Sequence, residues 1–436
     1  MTESSAIKTL LDNSRDYYLE RADKDIEKYR KGNFSVTVSS NGEPLGDAVV
    51  SYKLKKLDFE FGCNIFMLDQ YGDETRQELY LNQWRKIFNT AVVPLYWEGT
   101  EPEQGKLRYS KDTDVDIYRR PAADRVVEYC KQNGIDMKGH PLFWHEFIPE
   151  WLPDNWDELL LLIEKRFKEI SERYANDIKV FDCVNEPGRI WDMCHEHRTD
   201  GYKMVVPPDG YLEQIFELGK KYFPNNTLIL NEAVGSSLCE FKGIYGSFYQ
   251  LLNRLISENL KIDRIGIQCH CNDNIYFKNI YDARRLYGVM DGYSKLGKPI
   301  VLSEIGLSCE DEELQAKAVE QLYKICFSID KMSGIFWWNL DDDGVLSKKS
   351  RADAAGENLP YSGLCRNGRE KPAYKVIDRL INTEWTTEGN SDVENGICEF
   401  RGFYGKYEVS ITHNGVTKTL DIDFCKNGER IKNIEW

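Results

Sequence analysis

Two glutamates that follow apolar runs could act together on one bond. Glu186 ends the run VFDCVNE (180–186), and Glu304 lies in the run PIVLSEI (299–305). A buried strand has no structural use for a carboxylate, so each glutamate calls for a chemical explanation. Two carboxyl groups on either side of a glycosidic bond can hydrolyse it, because one protonates the leaving oxygen while the other attacks or activates water. The pair therefore indicates glycoside hydrolysis.

Other polar and aromatic side chains follow apolar runs in the same way. They are His140, Trp144, His145, Asn185, Asn231, Glu232, Gln268, His270 and Trp338. Flat aromatic faces in a cleft can stack on sugar rings. We expect Glu232 to orient neighbouring groups rather than react, and His145 fits a structural role equally well.

Eight short apolar runs precede these residues and are separated by segments with helical periodicity. The runs are FGCNIF (61–66), TAVVPLY (90–96), IDMKGHPLFWH (135–145), VFDCVNE (180–186), TLILNE (227–232), RIGIQCH (264–270), PIVLSEI (299–305) and GIFWWNL (334–340). Continuous hydrophobicity is typical of parallel strands that are buried on both faces. Eight βα units in series predict an α/β fold, a closed (β/α)8 barrel with its site at the carboxyl ends of the strands. An open doubly wound sheet is the alternative, but no GxGxxG motif follows the first run.

The two ends of the chain have a different pattern. Residues 5–31 predict an amphipathic helix, and 34–54 and 399–424 predict hairpins around Asn41–Gly42 and Asn414–Gly415. Neither end has enough strands to bury a sheet face alone, so we expect both to join in one small β-sandwich against the barrel. The predicted divisions are an N-terminal segment, 1–58, the barrel, 59–382, and C-terminal strands, 383–436.

Several of these motifs together resemble glycoside hydrolase family 10, the β-1,4-xylanase family of the retaining (β/α)8 clan. The matching stretches, in family order, are TEPEQGKLRY (100–109), GHPLFWH (139–145), VFDCVNE, RIGIQCH, VLSEIGLS (301–308) and GLCRNGREKPAYKVIDRL (363–380). The resemblance covers roughly residues 60 to 380. It implies an enzyme that cleaves β-1,4-linked plant polysaccharide, most of all xylan or its oligosaccharides, by a two-glutamate double displacement.

Carried over position by position, the resemblance implies roles for individual residues. Glu186 would be the general acid/base and Glu304 the nucleophile. The implied substrate-binding residues are Asn185, His140, Trp144, Gln268, His270, Trp338 and Trp97. Of these, Asn185 would bind the sugar 2-hydroxyl, His270 would lie beside the nucleophile, and Trp338 would form the floor.

The sequence departs from the family pattern in three places. The family's ENxMKW run at the end of strand two, whose Glu, Asn and Lys hold the second glycone sugar, reads VVPLYW here (92–97), with Tyr96 in the place of Lys. The stretch WWNLDDDG (337–344) lacks the second Trp that usually follows, and SEIG replaces TELD around Glu304. We therefore expect hydrolysis to be retained and sugar recognition beyond the first glycone position to be altered.

Composition narrows the other possibilities. The net charge of −15 over 436 residues argues against nucleic-acid and anionic-membrane partners. The sequence predicts no cofactor or metal: CHEH (194–197) and LDDDG (340–344) read as surface loops. Twelve scattered cysteines without a CxxC pair predict reduced thiols. With no signal-peptide pattern, we expect a cytoplasmic monomer, or a secreted one if a signal peptide has been removed.

Other functions remain open at this point. The chain could be a glycosidase of the same clan with a different β-glycan specificity, or a carbohydrate-binding barrel without catalysis. A metal-dependent barrel hydrolase is disfavoured because no HxH motif ends the first strand.

Overall fold

The structure is a computed structural model that describes residues 3–110, 112, 115, 117–188, 203–233, 241–272, 281–345 and 359–436. Its strands are, in chain order, β1 (Lys31–Ser40), β2 (Glu43–Pro44), β3 (Val49–Leu57), β4 (Glu60–Asn64), β5 (Thr90–Pro94), β6 (Asp136–His140), β7 (Phe143–Trp144), β8 (Val180–Asn185), β9 (Thr227–Glu232), β10 (Arg264–Asn272), β11 (Ile300–Ser308), β12 (Met332–Trp337), β13 (Cys365–Arg366), β14 (Arg369–Glu370), β15 (Glu388–Asp392), β16 (Ile397–Phe403), β17 (Gly405–His413), β18 (Val416–Phe424) and β19 (Ile431–Glu435).

Helices alternate with the central strands. They are α1 (Glu3–Asp12), α2 (Arg15–Tyr29), α3 (Glu74–Ile87), α4 (Trp97–Thr100), α5 (Ala123–Gln132), α6 (Trp156–Tyr174), α7 (Tyr211–Tyr222), α8 (Ser247–Ser257), α9 (Ala283–Ser294), α10 (Glu312–Ser328), α11 (Asp342–Val345) and α12 (Pro372–Arg379), with a 3₁₀ turn at Gly243–Tyr245 and a π turn at Leu380–Glu384. Side chains start several of them: Asn155 accepts from the Glu158 amide at α6, and Asp311 accepts from the Leu314 amide at α10.

Strands β4 to β12 form one closed parallel barrel, with β6 and β7 together in the third position. The sheet closes because β12 pairs with β4, from Gly334↔Glu60 to Trp337↔Cys63. The predicted barrel is confirmed, and every predicted run contains an observed strand. A small apolar cluster that includes Val92, Val180 and Ile229 fills the interior, and a larger core lies outside.

The terminal strands form two sheets with mostly antiparallel pairing, and each sheet contains strands from both ends of the chain. One has the order β16-β1-β19 with β2 on β1, and the other has the order β15-β3-β17-β18. Aromatic rings join the two sheets: Phe34 stacks on Phe424 at 4.3 Å between centroids, and Tyr52 on Phe400 at 3.8 Å. The accessory β layers predicted from the two termini are therefore present, because neither end can cover its apolar face alone. The domain boundaries at 58 and 382 remain predictions.

One local prediction at the N-terminus was wrong. The single helix predicted for 5–31 is two helices, because Ser14 takes a left-handed conformation (φ 60°) that ends the hydrogen-bond ladder. The hairpin turn predicted around Asn41–Gly42 is present, but its paired part is short: Ser39 pairs with Pro44 and Ser40 with Glu43, after which the chain crosses to the other sheet. The C-terminal hairpin around Asn414–Gly415 is present at full length.

The cysteines in the described ranges are free thiols, and most are buried. Within the same ranges, no helix has the combined length and apolar character needed to cross a membrane.

Candidate active site

Glu304, on β11, is held at the barrel mouth by side chains of β9 and β10. Its Oε1 accepts a hydrogen bond from Asn231 Nδ2 at 2.9 Å, and its Oε2 lies 3.2 Å from His270 Nε2. The carboxylate is 4% exposed. Both oxygens therefore have partners that fix the orientation of the carboxylate.

Asn231, at the end of β9, connects the predicted nucleophile to the predicted sugar-binding amide. The same Nδ2 that donates to Glu304 also donates to Asn185 Oδ1 at 2.7 Å. Ser303 Oγ donates to Asn231 Oδ1, which fixes the orientation of the amide. Gln268 Nε2 also donates to Asn185 Oδ1, at 3.2 Å. These five side chains form one continuous hydrogen-bonded network.

Glu186 directly follows β8, and its own backbone lies in the left-handed region (φ 51°). Its backbone N–H donates to the Asn231 carbonyl at 2.7 Å. The Glu232 carboxylate accepts from the backbone N–H of Gly188 at 2.6 Å and of Ala233 at 2.7 Å. A Cβ at Gly188 would lie 2.8 Å from Glu232 Oε2, so a larger residue here would displace this carboxylate from its present position. Glu232 thus has the geometry of an orienting group for the turn that presents Glu186.

His140 stands on a buried ion pair inside the barrel. Its Nδ1 lies 2.7 Å from Asp182 Oδ2, which also accepts from Lys138 Nζ at 2.7 Å. Burial alone would raise the pKa of Asp182, but Lys138 and the His140 hydrogen bond outweigh it, so that pKa lies below its usual value. An ionised Asp182 requires a proton on Nδ1 of His140, which leaves Nε2 facing Glu304 Oε1 at 3.9 Å.

Aromatic rings close the mouth on the side of β5 to β7. The His140 ring lies 5.5 Å from Trp338 and 5.4 Å from Tyr96, centroid to centroid. Trp144 stacks on Phe147 at 4.8 Å with 22° between the planes. Trp144 and Trp338, both predicted to contact sugar, therefore belong to one aromatic cluster around His140.

Trp97 is the predicted substrate-binding residue that the structure does not bring to this cluster. Its indole Nε1 donates to Glu101 Oε2 at 3.3 Å, and its ring packs near Trp151 and under the Arg166 guanidinium. It belongs to the outer core, whereas its neighbour Tyr96 belongs to the cluster at the mouth. Tyr96 precedes α4 and Trp97 is the first residue of that helix, so the turn into the helix directs the two side chains to different clusters.

The SEIG sequence has a visible consequence at His270. A Cβ at Gly306 would lie 3.2 Å from His270 Nδ1 and 3.4 Å from Leu359 Cδ1. The glycine allows close packing of the histidine ring against the β11 backbone. His270 thus contacts Glu304 through Nε2, while its Nδ1 lies close to the backbone of Gly306, which has no side chain.

The sequence predicts that CHEH (194–197) and LDDDG (340–344) are surface loops without a metal. The prediction that LDDDG is a solvated loop was wrong: Asp341 and Asp342 are buried, and they pair with Arg76 and with Lys371. CHEH lies outside the described residues. Among the residues that are described, no group of three or more His, Cys, Asp or Glu could hold a metal ion.

Sequence reasoning assigned no role to several groups that support the site. Lys138 and Asp182 carry charges in the middle of buried strands. They were overlooked because the runs that contain them are otherwise largely apolar. Asn231 was recognised as a strand-end residue without a function, and Tyr96 only as a missing lysine. Ser303 gives no sequence signal, because its role depends entirely on facing Asn231.

The chain matches one family model and has relatives among known proteins. The sequence model of glycosyl hydrolase family 10 matches residues 53–379. The chain is 25% identical over 414 residues to the anti-sigma-I factor RsgI6 of Acetivibrio thermocellus, covering 92% of this chain and 47% of that protein. It is 23% identical over 425 residues to endo-1,4-beta-xylanase 1 of Arabidopsis thaliana, covering 94% of this chain and 38% of that protein. The chain thus spans less than half the length of these two relatives.

Solved structures show the same barrel. Xylanase 10B from Thermotoga petrophila, in complex with xylobiose, aligns with a TM-score of 0.57 and 22% identity, covering 76% of this chain and 96% of that chain. Native xylanase 10B from Thermotoga maritima aligns with a TM-score of 0.57 and 22% identity, covering 76% and 97%. At this identity the likeness shows the shared fold.

Proposed function

The chain belongs to glycosyl hydrolase family 10, and from this membership we propose that it is a retaining glycoside hydrolase of β-1,4-linked, xylan-type chains. The observation that carries the proposal is the Asn231 side chain, which donates to Glu304 and to Asn185, the residue before Glu186. Asn231 thereby connects the nucleophile Glu304 to Asn185, which binds the sugar 2-hydroxyl and directly precedes the acid/base Glu186. The relative named endo-1,4-beta-xylanase supports the choice of xylan.

The proposed reaction uses each carboxyl group twice. Glu186 protonates the leaving oxygen while Glu304 attacks the anomeric carbon, which produces a glycosyl-enzyme. Glu186 then removes a proton from water, which releases the sugar with its original configuration. Asn185 hydrogen-bonds the sugar 2-hydroxyl, His140 and Trp144 line the first glycone position, and Trp338 lies beneath the ring.

Hydrolysis of 4-nitrophenyl β-xyloside and of xylo-oligosaccharides tests this proposal. Proton NMR of the first product tells retention from inversion, and retention is expected. Glu186→Gln should slow oligosaccharides far more than the nitrophenyl substrate, because nitrophenolate leaves with little need of a proton. The exposed Glu78→Gln is the matched control and should behave as the wild type. Inversion, or full activity in Glu186→Gln, would contradict the proposal.

A carbohydrate-binding barrel without turnover is the second candidate. The relative that aligns with 92% of this chain is named an anti-sigma-I factor, which is not an enzyme name. Calorimetric binding of xylo-oligosaccharides without any product would favour this candidate. Both glutamates and their hydrogen-bond partners are in place, which favours hydrolysis.

We also propose that the protein works as a cytoplasmic monomer with a polysaccharide or oligosaccharide as its substrate. Light scattering after size-exclusion chromatography tests the oligomeric state, and fractionation of the source cells tests the location. Separate expression of residues 59–382 tests whether the barrel folds without the terminal strands.

A further inference from the structure

The strand-two segment VVPLYW (92–97) is buried at every position. Val92 joins the apolar side chains inside the barrel, whereas Val93 and Leu95 face the outer core. Only Tyr96 and Trp97 carry polar side-chain atoms, and the Trp97 indole donates to Glu101 on the outer side. The position at which the family pattern offers Glu, Asn and Lys to a second sugar therefore presents mainly the Tyr96 ring.

The Tyr96 ring is held on several sides. The Arg120 guanidinium lies 3.7 Å from its centroid, and Phe147 and Phe66 lie 5.4 Å and 6.0 Å away. The Arg120 stem packs on α4, where a Cβ at Gly99 would lie 3.7 Å from it. The ring and the cation stabilise each other by a cation–π contact in a buried setting. Tyr96 is therefore a fixed wall rather than a movable side chain.

The Tyr96 ring contacts the histidine that lies beside the proposed nucleophile. His140 Nε2 lies 3.9 Å from Glu304 Oε1, and the His140 and Tyr96 ring centroids are 5.4 Å apart. Among the described residues, two arginines near this ring contact the protein itself: Arg120 lies on Tyr96, and Arg119 Nη2 donates to Asn339 Oδ1 at 2.6 Å. The chain thus replaces sugar-binding polar groups with contacts among its own side chains.

We propose that Tyr96, held by Arg120, is a specificity-determining residue that ends polar recognition on the glycone side after one sugar. The inference rests on the proposed function and deepens it, because it concerns which part of the chain-like substrate supplies binding energy. A second glycone sugar then adds little to transition-state stabilisation, because the fixed Tyr96 ring occupies the space at strand two and replaces the carboxylate, amide and ammonium groups of the family pattern.

Two substrates with the same leaving group test the proposal. The wild-type protein is given 4-nitrophenyl β-xyloside and 4-nitrophenyl β-xylobioside, which differ only in the second glycone sugar. We expect the ratio of their kcat/KM values, xylobioside over xyloside, to be less than about tenfold, and a larger ratio would overturn the proposal.

Variants locate the effect. Tyr96→Ala removes the wall and should raise that ratio by about tenfold or more, since the space admits the second sugar. Tyr96→Phe keeps the ring and should leave the ratio unchanged. Tyr245→Ala, at a side chain that is 84% exposed, is the matched control. An unchanged ratio in a folded Tyr96→Ala protein would contradict the role of Tyr96, and if that variant does not fold, the wild-type ratio decides alone.

Failure of the proposed function gives a different result. If the protein hydrolyses neither glycoside, the proposed function is wrong, and calorimetric binding of the two glycosides then decides the inference. Affinities within about tenfold of each other support it, and tighter binding of the xylobioside overturns it.

Discussion

The two sides of the barrel mouth are built from different chemistry. From β8 to β11, Asn185, Asn231 and Glu304 form a hydrogen-bonded network in which each group orients the next. At β5 to β7, the Tyr96 ring and the Arg120 guanidinium pack among other aromatic rings. One side is defined by hydrogen-bond geometry and the other by the shapes of packed rings.

The difference shows which part of the site tolerates change. Developing charge is stabilised only by dipoles held in the correct orientation, so the network side has to keep its residues and distances. Sugar recognition away from the reacting atoms can exchange hydrogen bonds for ring packing without losing the reaction. The departures from the family pattern at strand two accordingly lie on the aromatic side.

The largest contrast is expected between Glu304→Ala and Tyr96→Phe. Loss of the proposed nucleophile should lower kcat for 4-nitrophenyl β-xyloside by about 10⁴-fold or more, because the glycosyl-enzyme of the proposed mechanism forms on the Glu304 carboxylate. Tyr96→Phe keeps the packed ring and should change kcat by less than about threefold. Comparable losses in both variants would show that the two sides do not divide as described.

Asp182→Asn probes the buried ion pair beneath His140. His140 lies between the two sides of the mouth, because it is near both Glu304 and Tyr96. Removing this charge leaves Lys138 buried without its counterion, so we expect a loss of about 3–5 kcal/mol in the free energy of unfolding. Urea denaturation at neutral pH measures it. The double variant Lys138→Met/Asp182→Asn should recover part of the loss, and a single variant as stable as the wild type would refute the prediction.

The same carboxylate predicts a direction for acid stability. The pKa of Asp182 is lower in the folded chain than in the unfolded chain, where it is about 3.9. Its stabilising contribution is therefore complete above that unfolded value and is lost as the pH falls through the lower folded value. Urea midpoints measured from pH 6 down to pH 2 should fall less steeply for Asp182→Asn than for the wild type.

Asn231→Ala tests the hydrogen-bonded side of the mouth and leaves both Glu186 and Glu304 in the sequence. Loss of the shared donor should lower kcat by about 10²–10³-fold, the range known for a preorganised hydrogen-bond donor. Ser303→Ala removes only the group that orients Asn231, so its effect should be smaller and in the same direction. An unchanged kcat in Asn231→Ala would mean that the network does not support the reaction.

The smallest effect on substrate is expected from Trp97→Phe. Its indole donates to Glu101 in the outer core, so the variant should lose about 1–3 kcal/mol of stability and keep its KM within about twofold. Trp144→Phe, on the aromatic side of the mouth, should raise KM instead. A raised KM in Trp97→Phe would return Trp97 to the substrate-binding residues.

Much of this protein was readable from the sequence. Apolar runs alternating with helical segments predicted the closed barrel, and the residue that follows each run predicted which side chains meet at the mouth. Glu186, Glu304, His140, Asn185 and Trp338 were all singled out in this way, and their roles in catalysis and binding stay predictions. These signals are local, because burial on both faces of a strand and the strand-end position are each encoded within a few residues.

Only the tertiary structure decided how those residues interact. Asn231 and Glu304 are 73 positions apart, and their hydrogen bond depends on the barrel register that places β9, β10 and β11 side by side. Tyr96 and Trp97 are adjacent in sequence, yet one forms a wall of the site and the other supports the outer core. Sequence patterns specify where a strand lies, whereas the partners of its side chains come from distant segments that only the closed barrel brings into contact.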